Sequence, residues 1–91
     1  MAVSIRIPTP MRNLTGGASE VSVEATNLRE AIKALDAAHP GVSERILDDA
    51  GALRRFVNVY VGDEDVRFLD GLDTLLVDGS SISIIPAVAG G

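Results

Sequence analysis

From the second residue, hydrophobic and polar side chains alternate: Val3, Ile5 and Ile7 interleave with Ala2, Ser4 and Arg6. A period of two is that of a strand with one buried face. Pro8 and Pro10 end it, Gly16-Gly17 mark a loop tip, and alternation resumes as Val21, Val23 and Ala25 against Glu20, Ser22 and Glu24. A hairpin with a long loop is the simplest connection between the two. The period then lengthens. Leu28, Ala31, Ile32 and Leu35 fall at i, i+3, i+4 and i+7, the spacing of one apolar helix face. Thr26 or Asn27 can cap its start, with Glu30 three residues beyond Asn27 as in a capping box. Pro40-Gly41 ends the helix, because the proline pushes His39 out of the helical region. Val42 to Leu47 adds a short helical turn before a loop around Gly51.

Strand character returns in Phe56-Val57-Asn58-Val59-Tyr60-Val61, rich in β-branched and aromatic residues. Gly62-Asp63-Glu64-Asp65 reads as a turn and Val66-Arg67-Phe68 as a brief strand. Leu69 to Leu76 reads as irregular, and Asp78-Gly79 as a turn. Ile82 and Ile84, flanked by Ser81 and Ser83, make the last strand, which Pro86 stops. The order is β-β-α-β-β-β. One amphipathic helix must cover one face of the sheet, which gives a two-layer α+β domain. The β-grasp (ubiquitin-like) fold has this order, a mixed sheet whose first and last strands lie adjacent and parallel. Residues 1–86 are expected to form that domain and 87–91 a flexible Gly-Gly tail.

Composition narrows the chemistry. Ninety-one residues suffice for one domain. Without tryptophan, Val, Ile and Leu must build the core. No apolar run approaches the roughly 20 residues of a membrane span. The start, Met1-Ala2-Val3-Ser4, lacks the basic flank and apolar run of a signal peptide, so a soluble, cytoplasmic protein is expected. The net charge is −5, with Lys33 the only lysine, a poor basis for binding a phosphate backbone. It suits instead a partner with a basic docking face. Cysteine is absent, which excludes disulfides and thiolate catalysis.

Most candidate sites have a plain structural explanation. His39, the only histidine, stands at a helix end with no evident nucleophile or orienting partner. Asp63-Glu64-Asp65 and Asp48-Asp49 lack the alternating oxygen ligands of a calcium loop, and no metal is expected. Gly16-Gly17 lacks the Lys and Ser/Thr that complete a P-loop. Arg54-Arg55, the only basic pair, reads as a solvated strand edge. No internal constellation supports catalysis. The end of the chain differs. Pro86-Ala87-Val88-Ala89-Gly90-Gly91 is apolar, proline-led and finishes in two glycines. Alone, such an ending is explained as a frayed terminus. After a β-grasp domain it is a thin thread able to enter a narrow active site, with the Gly91 carboxylate as its chemical handle.

Four segments carry a family resemblance: Ser43-Glu44-Arg45, Arg55 to Val61, Asp63 to Phe68, and Pro86 to Gly91. Over nearly its whole length the chain resembles the ubiquitin-like sulfur carriers of the MoaD/ThiS family, closest to the family's bacterial cysteine-biosynthetic carriers. The resemblance implies that an E1-like adenylyltransferase/sulfurtransferase uses ATP to adenylate Gly91 and convert it to a thiocarboxylate. The carrier itself is then a protein cosubstrate rather than an enzyme, with no bound cofactor. The recipient it implies is a sulfur-accepting enzyme of the cysteine-synthase type, with a peptidase to release the cysteine adduct. A molybdopterin-synthase small subunit or a sulfur donor for another biosynthetic enzyme is the alternative. A modifier joined to lysines and a plain interaction domain are alternatives of other classes. Ala89 stands where ubiquitin has an arginine, which argues against a eukaryotic-style conjugation cascade.

Overall fold

The structure, a computed structural model, describes residues 2–86. Five strands form one sheet: β1 (Ala2–Arg6), β2 (Glu20–Glu24), β3 (Val57–Val61), β4 (Glu64–Asp65) and β5 (Ser81–Pro86). Their order across the sheet is β2-β1-β5-β3-β4. β1 runs antiparallel to β2, with Val3 opposite Val23 and Arg6 opposite Glu20. It runs parallel to β5, with Ile5 opposite Ile82. β3 pairs antiparallel with β5 along its whole length, from Val57 opposite Pro86 to Val61 opposite Ile82. This is the expected β-grasp arrangement, with first and last strands side by side at the centre.

The inward residues of the period-two segments are those the pattern marks: Val3, Ile5, Val57, Val59, Ile82 and Ile84 are all buried. Helix α1 (Leu28–Ala38) lays Leu28, Ala31, Ile32 and Leu35 against them, Leu28, Ala31 and Leu35 without measurable exposure. α2 (Val42–Ile46) is the short turn expected after Pro40-Gly41 and closes one end of the core with Val42 and Ile46. Gly41 links the two helices at φ 101°, in the left-handed region that favours glycine.

Both helix starts are tied by carboxylates or amides. Asn27 is the cap of α1, its side chain accepting from the Glu30 amide at 2.8 Å. Glu30 reaches back one residue further than in a simple capping box, accepting from the Thr26 amide at 2.9 Å and the Thr26 hydroxyl at 2.6 Å. Thr26 and Asn27 therefore share the role. Asp36, on the last turn of α1, accepts from the amides of Gly41 and Ser43, both at 3.1 Å, and so fastens α2 to α1. The Thr26 hydroxyl and amide hold the Glu30 carboxyl below the usual carboxylate range, and the Ser43 amide and hydroxyl do the same for Asp36.

Two segments depart from the pattern. The loop after β1 contains a 3₁₀ segment, Thr9–Thr15, which buries Met11 and Thr15; the Thr15 hydroxyl bonds the carbonyls of Arg12 and Ala18. Val66–Phe68 is a 3₁₀ turn and not a strand, while Glu64 and Asp65, read as turn, pair with Val61 and Tyr60 as β4. A strand would place Val66 and Phe68 on one face. Val66 is fully buried, but Phe68 is 86% exposed, and the Asp65 carboxylate accepts from the Arg67 amide at 2.9 Å, turning the chain. A second such turn, Gly71–Asp73, interrupts the stretch read as irregular, and Arg29 meets Asp73 at 3.3 Å. No helix is long and apolar enough to cross a membrane among the described residues.

Leu35→Ala should cost about 2–5 kcal/mol in denaturant unfolding, a large share of a small domain's stability. A loss near zero would show that Leu35 does not pack as described. The two lowered carboxyls predict an acid response. Their contribution is complete above the ordinary carboxylate range and is lost as pH falls through the lowered folded values. The melting temperature should therefore fall over that range, and the Glu30→Gln/Asp36→Asn variant should show a shallower fall. Equal slopes for variant and native protein would refute it.

Candidate functional site

The candidate site is the point where the chain leaves the sheet. β5 lies between β1 and β3, so residue 87 follows directly from the middle of the sheet. The two neighbours do not extend equally. β1 pairs with Ser81–Ser83 only, whereas β3 pairs as far as Pro86. Past Arg6 the first strand turns away at Pro8 into the 3₁₀ segment, and a groove of about 320 Å³ opens between it and β5. Arg6, Thr9, Arg12, Ile85 and Pro86 are among its lining residues. Pro86, expected to stop the strand and begin the tail, is the last paired residue among the described ones and is half-buried. Having no N–H, it cannot donate to a further ladder bond. Ala87, Val88, Ala89, Gly90 and Gly91 lie outside the described residues.

On the other side of β5, the start of β3 is held by Arg67. Its guanidinium donates to Asn58 Oδ1 at 2.6 Å and to the carbonyls of Arg54 and Val57, both at 2.8 Å. A planar fork with several donors can satisfy three acceptors at once, which an ammonium on a flexible stem does less well. The clamp joins the 3₁₀ turn after β4 to the strand opposite Pro86. Arg54 points its Nε–H at the Glu44 carbonyl, 2.9 Å away, so it ties the α2 region to the same place. Arg55 and Phe56 follow, both exposed, beside a smaller hollow of about 210 Å³ also lined by Asp48, Arg54 and Val57. Arg54-Arg55 is thus more than a solvated edge: Arg54 braces the loop, and only Arg55 faces solvent without a partner among the described residues.

The other candidates stay structural. His39 is the C-terminal cap residue of α1, its amide bonded to the Leu35 carbonyl at 2.8 Å. Asp48 accepts from the amides of Ala50 and Ala52 at 2.9 and 3.0 Å, closing a local turn. Gly16 and Gly17, at φ 65° and 90°, make the turn after the 3₁₀ segment. No group of three or more His, Cys, Asp or Glu is placed to hold a metal among the described residues. Sequence reasoning missed Arg6, Arg12 and Arg67. Arg6 registers only as the polar member of an alternating pair, and Arg67 only as the middle of an assumed strand. Which backbone an arginine fork reaches depends on contacts distant in sequence.

Arg67→Ala should lower stability by about 1–3 kcal/mol, since a part-buried carbonyl loses its donor. Arg67→Lys should recover only part of that in denaturant unfolding. If both variants are as stable as the native protein, the clamp contributes nothing.

The sequence and the fold are similar to those of known proteins. The ThiS family matches residues 5–91. The sulfur carrier protein CysO of Mycobacterium tuberculosis is 50% identical over the full length of both chains. A chain of the Amycolatopsis orientalis BexX/CysO complex superposes with a TM-score of 0.92 at 43% identity, covering 98% of this chain and 99% of that one. Small archaeal modifier protein 3 of Haloferax volcanii is 33% identical over the full length of both. The chain belongs to the MoaD/ThiS family of ubiquitin-like sulfur carriers.

Proposed function

We propose that this protein carries sulfur on the carboxylate of Gly91 and delivers it to a biosynthetic enzyme, most directly for cysteine synthesis. The observation that supports this reading is the exit geometry: a tail beginning at the central strand of a rigid sheet, continued by a family match that runs through Gly91. Residues 87–91 reach at most about 17 Å beyond Pro86. That is long enough to enter a partner's cleft while the domain docks outside.

The chemistry requires no reactive side chain here. A carboxylate is a poor electrophile, because its charge is delocalised and oxide is a bad leaving group. A carboxylate oxygen of Gly91 attacks the α-phosphorus of ATP in an E1-like partner, expelling pyrophosphate and forming an acyl-adenylate. Hydrosulfide then attacks the carbonyl carbon and expels AMP, leaving a thiocarboxylate. A persulfide donor gives an acyl disulfide instead, which a thiol reduces to the same product. ATP and catalysis belong to the partner, and this protein is a cosubstrate. In the recipient, the thiocarboxylate sulfur adds to the electrophilic carbon of an aminoacrylate held by a pyridoxal-phosphate enzyme of the cysteine-synthase type. An S-to-N acyl shift leaves cysteine joined through its amine to Gly91, and a peptidase hydrolyses that bond. Tethering makes the delivery effectively intramolecular. The CysO name of the relative at 50% identity favours this recipient over a molybdopterin synthase. The BexX/CysO complex supports docking of such carriers onto a partner protein.

A second reading, a modifier joined to lysines, is favoured by the Haloferax relative's name. Lysine conjugates in extracts of the native cells would support it. Removing Gly90-Gly91 should abolish adenylation and leave the melting transition unchanged, since no apolar core residue is lost. Continued sulfur loading of the truncated protein would end the Gly91 proposal. Incubating the thiocarboxylated protein with candidate acceptors and following its intact mass identifies the recipient, a cysteine adduct being the expected product.

A further inference from the structure

The chain is acidic overall, with a net charge of −5, yet one groove on it is basic. It is the groove of about 320 Å³ between β5 and the turn that follows β1, with Arg6, Arg12, Ile85 and Pro86 among its lining residues. Arg6 is exposed and has no hydrogen-bond or ion-pair partner among the described residues. Arg12 is half-buried and bonds only through Nε, which donates to the Ile7 carbonyl at 3.0 Å. The rest of its fork is left for another acceptor. Arg6, Ile7 and Arg12 also line an adjoining hollow of about 280 Å³, so the two spaces share this arginine pair. Glu20 is the one acid that lines either space. It stands opposite Arg6 in the ladder but forms no ion pair with it.

The groove has an apolar part as well. Ile85, 48% exposed, lies on it beside Pro8 and Pro86. An occupant that fits both parts is short, apolar at one end and anionic at the other. The five residues after Pro86 have that composition in that order: Ala87, Val88 and Ala89, then Gly90 and Gly91 with its carboxylate. They start at the groove, since Pro86 lines it, and they reach at most about 17 Å. Pro86 and the arginines line the same groove, so a chain that doubles back can return its carboxylate to them within that length. A tether this short holds the carboxylate at a local concentration on the order of millimolar. Glycine, without a Cβ, lets the last two residues approach the guanidinium groups closely.

We propose that the groove holds the chain's own end, with the Gly91 carboxylate on Arg6 and Arg12 and Ala87, Val88 and Ala89 across Ile85. A guanidinium fork matches a carboxylate in charge and in geometry. The contact is a closed state that any enzyme acting on the tail must first open. That enzyme's apparent affinity falls in proportion to the fraction of chains left open. The proposal rests on the carrier reading above for the free carboxylate at Gly91, and for none of the sulfur chemistry.

The test is backbone amide relaxation NMR on the full chain with no partner present. The order parameters of Gly90 and Gly91 are expected above about 0.6, the level below which a backbone counts as flexible. Arg6→Gln, alone and together with Arg12→Gln, should bring both below it. So should salt at roughly 1 M, where the Debye length is about 3 Å, and a chain carrying Gly91 as its α-carboxamide. Arg6→Lys should keep part of the order. Melting curves check that Arg12→Gln, which loses the bond to Ile7, still folds; Arg6→Gln breaks no bond and decides the matter without it. Values below about 0.6 in the native chain overturn the proposal, as do values unaltered in Arg6→Gln and in the carboxamide. Order that rises with protein concentration also overturns it, because the groove is then filled by the tail of a second copy. Adenylation by the E1-like enzyme of the same cell is read separately. A tail that is adenylated but not ordered ends this contact and spares the carrier reading; an ordered tail that is never adenylated does the reverse.

Discussion

The parallel pairing of β1 with β5 is the contact on which the rest of the structure depends. It joins the beginning of the chain to Ser81–Ser83 and leaves β2 and β3 on opposite flanks of that pair, so the chain between them must cross one face of the sheet. α1 makes that crossing, and its apolar stripe seals the face it passes over. The loop-closure entropy of such a contact is offset by burial of the apolar core, Val3, Ile5, Ile82 and Ile84 against the helix included. Pairing with β3 on the other side fixes the last strand from both flanks.

The same topology separates structure from chemistry. The described residues hold a close-packed aliphatic core and well-partnered caps, with Glu30, Asn27 and Asp36 each committed to a helix start. The groups near Pro86 are of another kind: arginines held by neutral acceptors, and apolar side chains left in solvent. The likeness to CysO and to an archaeal modifier extends over the full length of the chain.

Net charge and local charge lead to different partners. An acidic protein taken as a point attracts a basic surface, but at contact distances the charges beyond about 8–10 Å are screened and the nearest ones decide. Strand direction brings Arg6 and Arg55 to the tail end although 48 intervening residues separate them in the chain. Composition cannot reveal that.

By itself the sequence determined the elements whose periodicity is long and whose ends are marked. β1, β2, α1, β3 and β5 are legible because burial of one face imposes a period of two or 3.6, and Pro40-Gly41 punctuates the helix. The core lining of α1 and the parallel first and last strands follow from those patterns and the β-grasp order. The Gly-Gly ending is also a property of the chain alone. Only the tertiary structure decided the shorter pieces. Val66–Phe68 has a strand-like composition, yet Asp65 caps it into a turn and the exposed Phe68 breaks the alternation. Pro86 reads as a stop but is held in the ladder by Val57. The Arg67 clamp and the clustering of arginines at the exit depend on which strands lie side by side. Local patterns encode which face a residue turns inward; long-range pairing decides which charges become neighbours.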